Sequence, residues 1–344
     1  MGAGGEELGL TCAKETELKL RPMIMTPPKS LLAVLACGTA FVGFSAIAGQ
    51  PDQQQPAQTA APILLAQATT TTAPTPQIGA VGGGNAASTG IAPEHADWKL
   101  VWEDDFSKDN GVIDPKKWSH VVGGGGFGNH EAEFYTDDPK NSHIENGVLV
   151  ITALKEDKGN EHYTSAKLWT KGLYSVKYGR IEACIKAPAA QLGNWPAFWM
   201  MPDEPSPYGG WPKSGEIDIM EMVNDAKTLY GTMHYGTTWR DKEGGQIASP
   251  TGDFSTDYHV YAVEWEANEI RTYLDGKPYG KINKWFTPGH PYPAPFDQKF
   301  YIILNFALGG DWPNNIVKPA RHLPDPDAKF PESMSVKWVR VYQP

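Results

Sequence analysis

Beyond Trp98 the chain is a succession of short alternating runs cut by turn residues, and nowhere in that part do apolar residues recur at helical spacing for three turns. LVWEDDF, GVLVITAL, YGRIEACIKA, FWMM, EIDIMEMV, HVYAVEWE, EIRTYLDG, YIILNFAL and SVKWVRVY are rich in β-branched and aromatic residues and are bounded by Gly, Pro, Asn or Asp. Such runs are strands. Asp275-Gly276 supplies the positive φ values of a tight hairpin turn. So many strands without intervening helices imply an all-β antiparallel sandwich or barrel.

The aromatic residues set the domain boundary. Of 38, 36 lie at or after Trp98, so only the C-terminal part can build a large core. A single domain over residues 96–344 is expected, a size all-β units commonly reach. Residues 49–95 read as a linker: between Gly49 and Pro93 the one charged residue is Asp52, amid Gln, Ala, Thr, Pro and Gly. That composition offers too little apolar surface to offset the entropy of ordering it. Residues 1–48 are expected to be an N-terminal extension and signal peptide. Ser30 to Ala48 is apolar, follows Lys29, and ends in Ala46-Ile47-Ala48, which suits cleavage after Ala48 and a secreted or periplasmic product. The four acids before Met23 do not suit a signal peptide's start, so Met23 or Met25 is a candidate first residue. Val34-Leu35-Ala36-Cys37 offers a weaker, alternative lipoprotein route.

The net charge of −10 disfavours nucleic acid and anionic membrane as partners. Cys12, Cys37 and Cys184 cannot make a disulfide framework or a closely spaced zinc site. No HExxH or GxSxG is present. Gly123, Gly125 and Gly128 match GxGxxG, but no helix-forming pattern follows, so they read as a cleft-lining loop rather than a dinucleotide site. No cofactor and no metal ligand set is expected.

One segment breaks its own alternation. In Glu216-Ile217-Asp218-Ile219-Met220-Glu221, regular pleating puts Glu216 and Asp218 on one face but sends Glu221 to the apolar face. A one-residue bulge at Ile219-Met220 resets the parity and aligns all three acids. Like charges side by side in a sheet are unfavourable without a purpose. Trp195, Trp199 and Trp211 flank the segment, and indole faces beside acids suit a sugar ring. Paired carboxylates flanking a glycosidic bond are the equipment of glycoside hydrolysis. A separation of about 5 to 5.5 Å selects the retaining route. Cα atoms four strand positions apart lie about 13 Å apart, a gap that two glutamate side chains leaning together largely close.

WPAFWMM (195–201) and GWPKSGEIDIMEMV (210–223) resemble glycoside hydrolase family 16, in particular its bacterial laminarinase-like branch of endo-β-1,3-glucanases. The resemblance extends to LVWEDDF, the Gly128-Asn129-His130-Glu131 loop, ENGVLVITA, YGRIEACIK, YAVEW, LNFALGGDWP and WVRVYQ. It implies a concanavalin-like β-jelly-roll of two antiparallel sheets with a concave glucan cleft, acting on polysaccharide as a monomer. It assigns Glu216 as nucleophile and Glu221 as acid/base, with Asp218 hydrogen-bonding the nucleophile. It also places Trp195, Trp199, Trp211, Asn129, His234 and Trp312 near the reactive sugar.

Two positions depart from the family pattern. Lys167 stands where the laminarinase branch commonly has Arg, and Lys337 aligns with an acid of a structural calcium site. Lys337 is therefore expected to pair with Asp105 in place of the ion. Other family 16 specificities (mixed-linkage glucan, agar or carrageenan), transfer between glucans, and a non-catalytic glucan-binding module are the alternatives. The retained glutamates argue against the last.

If residues 49–93 only space the domain, deleting them leaves turnover of soluble laminarin within a factor of about two, roughly 0.4 kcal/mol in barrier. Steady-state kinetics of the deletion against the full chain measure this, and a larger loss would place the segment in the cleft.

Overall fold

The structure is a computed structural model that describes residues 95, 97–107 and 111–344. The expected signal peptide, the linker, Cys12 and Cys37 lie outside the described residues. Two antiparallel sheets dominate. One runs, in spatial order, β15 (Lys277–Ile282), β14 (Glu269–Leu274), β13 (His259–Glu266), β8 (Gly179–Lys186), β17 (Glu332–Gln343), β5 (Val148–Ala153) and β4 (Ser142–Glu145), with β1 (Lys99–Asp104) also paired to β17. The other runs β12 (Lys242–Ala248), β11 (Thr228–His234), β10 (Glu216–Glu221), β9 (Asn194–Pro202), β16 (Phe300–Leu308), β7 (Lys167–Trp169) and β2 (Ser119–His120). A small parallel pair, β3 (Glu133–Tyr135) and β6 (Tyr163–Ser165), completes the strands among the described residues. This is the jelly-roll sandwich.

Alternation builds the core. Ile181, Ala183 and Ile185 of β8 and Val263 and Trp265 of β13 share one buried cluster with Phe198 and Met200 of β9 and Ile302, Leu304 and Phe306 of β16. Side chains at the intervening positions of β9 and β16, among them Trp199 and Asn305, therefore stand on the other face of the second sheet. That face carries the candidate site.

β10 departs from regular pairing where the sequence requires it. Against β9, Asp218 pairs with Trp199 and Met220 pairs with the next residue, Phe198, leaving Ile219 as the extra residue of a bulge. Ile217 and Met220 are fully buried in the core, while Glu216, Asp218 and Glu221 lie on the opposite face. The Ile219 carbonyl accepts a hydrogen bond from the Tyr279 hydroxyl (3.2 Å), which reaches it from the edge strand of the other sheet. Gly231 makes room for that hydroxyl, since a Cβ there would lie 2.6 Å from the oxygen.

Lys337 does not pair with Asp105. It is the extra residue of a second bulge, between Val336, opposite Ile185, and Trp338, opposite Cys184. The bulge lets Val336, Val339 and Val341 all face the core while Lys337 stays exposed, and its ammonium lies 4.1 Å above the Tyr258 ring. Asp105 instead accepts from the backbone N–H and hydroxyl of Ser107.

Tyr279→Phe removes the donor to the bulge carbonyl. Loss of about 1 to 3 kcal/mol of stability is expected, the cost of a poorly satisfied buried polar group, together with reduced turnover as Glu221 loses its fixed position. Denaturant unfolding and kcat measure the two effects; unchanged values would mean the bulge holds itself.

Candidate active site

The three acids form the floor of the site. Asp218 is 2% exposed, and Glu216 and Glu221 are partly covered on either side of it. The Trp195 indole N–H donates to Glu221 Oε1 at 3.0 Å. His234, opposite Glu216 on β11, brings Nε2 to 3.3 Å from Asp218 Oδ2. Trp211, 46% exposed, lies over His234 with ring centroids 5.7 Å apart. Trp312 stands on the short helix α1 (Asp311–Ile316) and meets Trp195 and Tyr230 edge-on at 5.6 and 5.1 Å. Glu216, Asp218, Glu221, Trp195, Trp211, His234 and Trp312 are thus one cluster.

Trp199 and Asn129 join it through residues that sequence reasoning did not single out. Trp199 Nε1 donates to Asn305 Oδ1 (2.7 Å), Asn305 Nδ2 donates to the Tyr135 hydroxyl (3.0 Å), and that hydroxyl donates to Glu131 Oε2 (3.2 Å). Asn129 Nδ2 closes the chain on Glu131 Oε1 at 3.1 Å. The glycine-rich loop lines the cleft as expected: the Asn129 carbonyl accepts from the Asp311 N–H, so the loop ties the helix that carries Trp312. Glu133, fully buried, accepts from the Leu308 N–H at 2.7 Å.

Lys167 lies inside this network. It is 9% exposed, and its ammonium sits 4.7 Å from the Trp199 ring centroid, 5.3 Å from that of Phe127 and 5.8 Å from that of Tyr135. An ammonium on aromatic faces exploits their negative quadrupole and needs no planar fork, so lysine can take the place of arginine here. Burial lowers its pKa, while Glu131, Glu133 and Glu216 pull it back up.

Burial dominates the acids. It pushes Glu216 up to about 8, with the neighbouring Asp218 adding to the shift. It pushes Glu221 up to about 7, against the pull of His234 and the Trp195 hydrogen bond. Asp218 is raised well above the usual carboxylate range by burial and then by Glu221. Three carboxylates this close do not all ionise at neutral pH. At least one proton is held among them, which equips the group for coupled acid and nucleophile chemistry.

Residues 129–319 match the family Glycosyl hydrolases family 16. The chain belongs to that family. The Beta-glucanase of Rhodothermus marinus is 41% identical over 256 residues, covering 72% of this chain and 85% of that protein. Glucan endo-1,3-beta-glucosidase A1 of Niallia circulans is 37% identical over 276 residues, covering 73% of this chain but 39% of that longer protein. The solved laminarinase of Rhodothermus marinus superimposes with a TM-score of 0.64 at 39% identity, over 72% of this chain and 97% of that one. As a family 16 member with both glutamates in the cleft, the protein is a glycoside hydrolase acting on polysaccharide.

The raised Glu216 pKa has a consequence for stability. Between its ordinary value of 4.5 and about 8 the folded state keeps a proton that the unfolded state has lost, so this group lowers stability as pH rises through that window. Glu216→Gln carries no such penalty. Its melting temperature relative to the native protein is expected to match near pH 4 and to rise progressively toward pH 8.5, as thermal melts at four or five pH values would show. A constant offset would mean that Glu216 ionises normally.

Proposed function

We propose that the protein is a secreted, monomeric endo-acting hydrolase of β-1,3-glucan that works with retention of configuration. The observation that carries the mechanism is the single row Glu216, Asp218, Glu221 on the cleft face, produced by the bulge at Ile219. In this reading ionised Glu216 attacks the anomeric carbon, and Glu221 gives its proton to the departing glycosidic oxygen. The glycosyl–enzyme ester is then cleaved by a water that Glu221 deprotonates. For Glu216 to attack, the proton shared in its vicinity must rest on Asp218, whose carboxyl then donates a hydrogen bond to the Glu216 anion. The Trp195 N–H on Glu221 fixes the acid's direction, and Trp211 and Trp199 supply flat faces for sugar rings. With Glu221 pushed up to about 7, the catalytic acid is lost above that pH, so activity declines on the alkaline side.

The names of the relatives support β-1,3-glucan as substrate. The apolar run ending at Ala48 supports export, and N-terminal sequencing of the secreted product, expected to begin at Gly49, tests it.

Release of reducing ends by the full chain is expected to be faster on laminarin than on lichenan and absent on agarose. Glu216→Gln and Glu221→Gln should each lose at least about 10³-fold in kcat, roughly 4 kcal/mol. Azide added to Glu216→Ala with an activated aryl β-glucoside should give a glycosyl azide of inverted configuration. A rescued product of retained configuration at that position would exchange the two roles.

A further inference from the structure

The same cleft holds a donor set that a sugar hydrolase does not need in order to bind neutral sugar. One carboxylate oxygen each from Glu216 and Asp218 and a ring nitrogen of His234 all lie within 4.8 Å of one another. Asp218 Oδ2 is buried and makes no hydrogen bond, although it points at His234 Nε2 from 3.3 Å. His234 Nδ1 is likewise buried without a partner. Metal binding requires the neutral ring, and with its proton on Nδ1 the Nε2 lone pair faces the carboxylates.

We propose that Glu216, Asp218 and His234 form an inhibitory site for a borderline divalent transition-metal cation of the copper(II) or zinc type. Imidazole and carboxylate are both ligand types that these ions take, and three protein ligands leave a coordination position open. Tetrahedral zinc bonds of about 2.0 to 2.2 Å set donors roughly 3.4 Å apart, and cis donors of a tetragonal copper(II) site lie somewhat closer; side-chain rotations can bring donors now within 4.8 Å to either spacing. An imidazole favours copper(II) and zinc, with copper(II) ahead, over magnesium and calcium, which prefer all-oxygen shells. The ion would occupy the Glu216 lone pair and lie beneath Trp211, where the sugar ring is expected, so it would compete with substrate. The loss of activity rests on the nucleophile role proposed for Glu216; the binding of the ion does not.

The test separates the two. Copper(II) chloride is titrated into the full chain in a non-coordinating buffer, followed by tryptophan fluorescence and by electron paramagnetic resonance, and zinc, magnesium and calcium chlorides are titrated in parallel. One copper(II) per chain with hyperfine coupling to a single imidazole nitrogen is expected. It should bind at least about tenfold more weakly in His234→Gln, and magnesium and calcium should have no effect at the same concentrations. Laminari-oligosaccharide should displace the ion from native protein and from Glu221→Gln, which keeps all three ligands. Asp218→Asn, near-isosteric, guards against a folding defect at position 234 and should also weaken binding. A copper signal unchanged in both His234→Gln and Asp218→Asn, or equal binding of calcium, would overturn the site. Reducing-sugar release on laminarin in the absence of metal reports on the glucan reading independently.

Discussion

One extra residue in a strand governs the chemistry of this molecule. With Ile219 bulged out of the pairing between β10 and β9, the strand keeps Ile217 and Met220 in the core and still presents Glu216, Asp218 and Glu221 to the cleft. Regular pleating could satisfy one demand or the other for this sequence, since a one-residue shift moves every later side chain to the opposite face. A bulge leaves a backbone group without its ladder partner, and the opposite sheet answers that through the Tyr279 hydroxyl on β15, in the space left by Gly231. The site thus depends on contact between the two sheets and not only on the strand that bears it.

The acids so aligned are costly to hold. All three have pKa values raised by burial before any mutual repulsion is added. Around them the fold has placed partial compensation: the Trp195 N–H on Glu221, His234 beside Asp218, and the Lys167 ammonium among Trp199, Phe127 and Tyr135. These groups do not neutralise the cluster. They leave it with a proton to share, so the strain at the centre is the same property that lets one carboxyl act as acid while another attacks.

The sequence disclosed the parts of this arrangement that lie within one strand. Periodicity of two marked the strands, and the mismatch between Glu216 and Glu221 located a bulge at the Ile219-Met220 step. The same arithmetic on Val336, Lys337, Val339 and Val341 points to the second bulge. The alignment with a calcium site suggested instead a pairing of Lys337 with Asp105; in the structure Lys337 lies over the Tyr258 ring and Asp105 accepts from Ser107. What sequence could not give is the relay Trp199–Asn305–Tyr135–Glu131–Asn129. Its members come from β9, β16, β3 and the glycine-rich loop, far apart in the chain. Each taken singly is an ordinary polar or aromatic residue, so only the sheet order brings them together.

That relay also bears on what the cleft can accept. Glu131 adds a partly exposed acidic group at the end of the site beyond Trp199, and Lys167 is enclosed among aromatic faces rather than held out toward a ligand. A polyanion laid along this floor would meet carboxylates at Glu131 and again at the catalytic row, with its own charges stripped of water and poorly matched. Such a mismatch costs several kcal/mol when like charges are brought together out of solvent. A neutral chain meets no such penalty. Its hydroxyls can accept from and donate to the same carboxylates, while its C–H faces rest on the indoles. The electrostatic sign of the cleft therefore argues for an uncharged glucan over a sulfated galactan on the jelly-roll that this family shares, independently of the names its relatives carry.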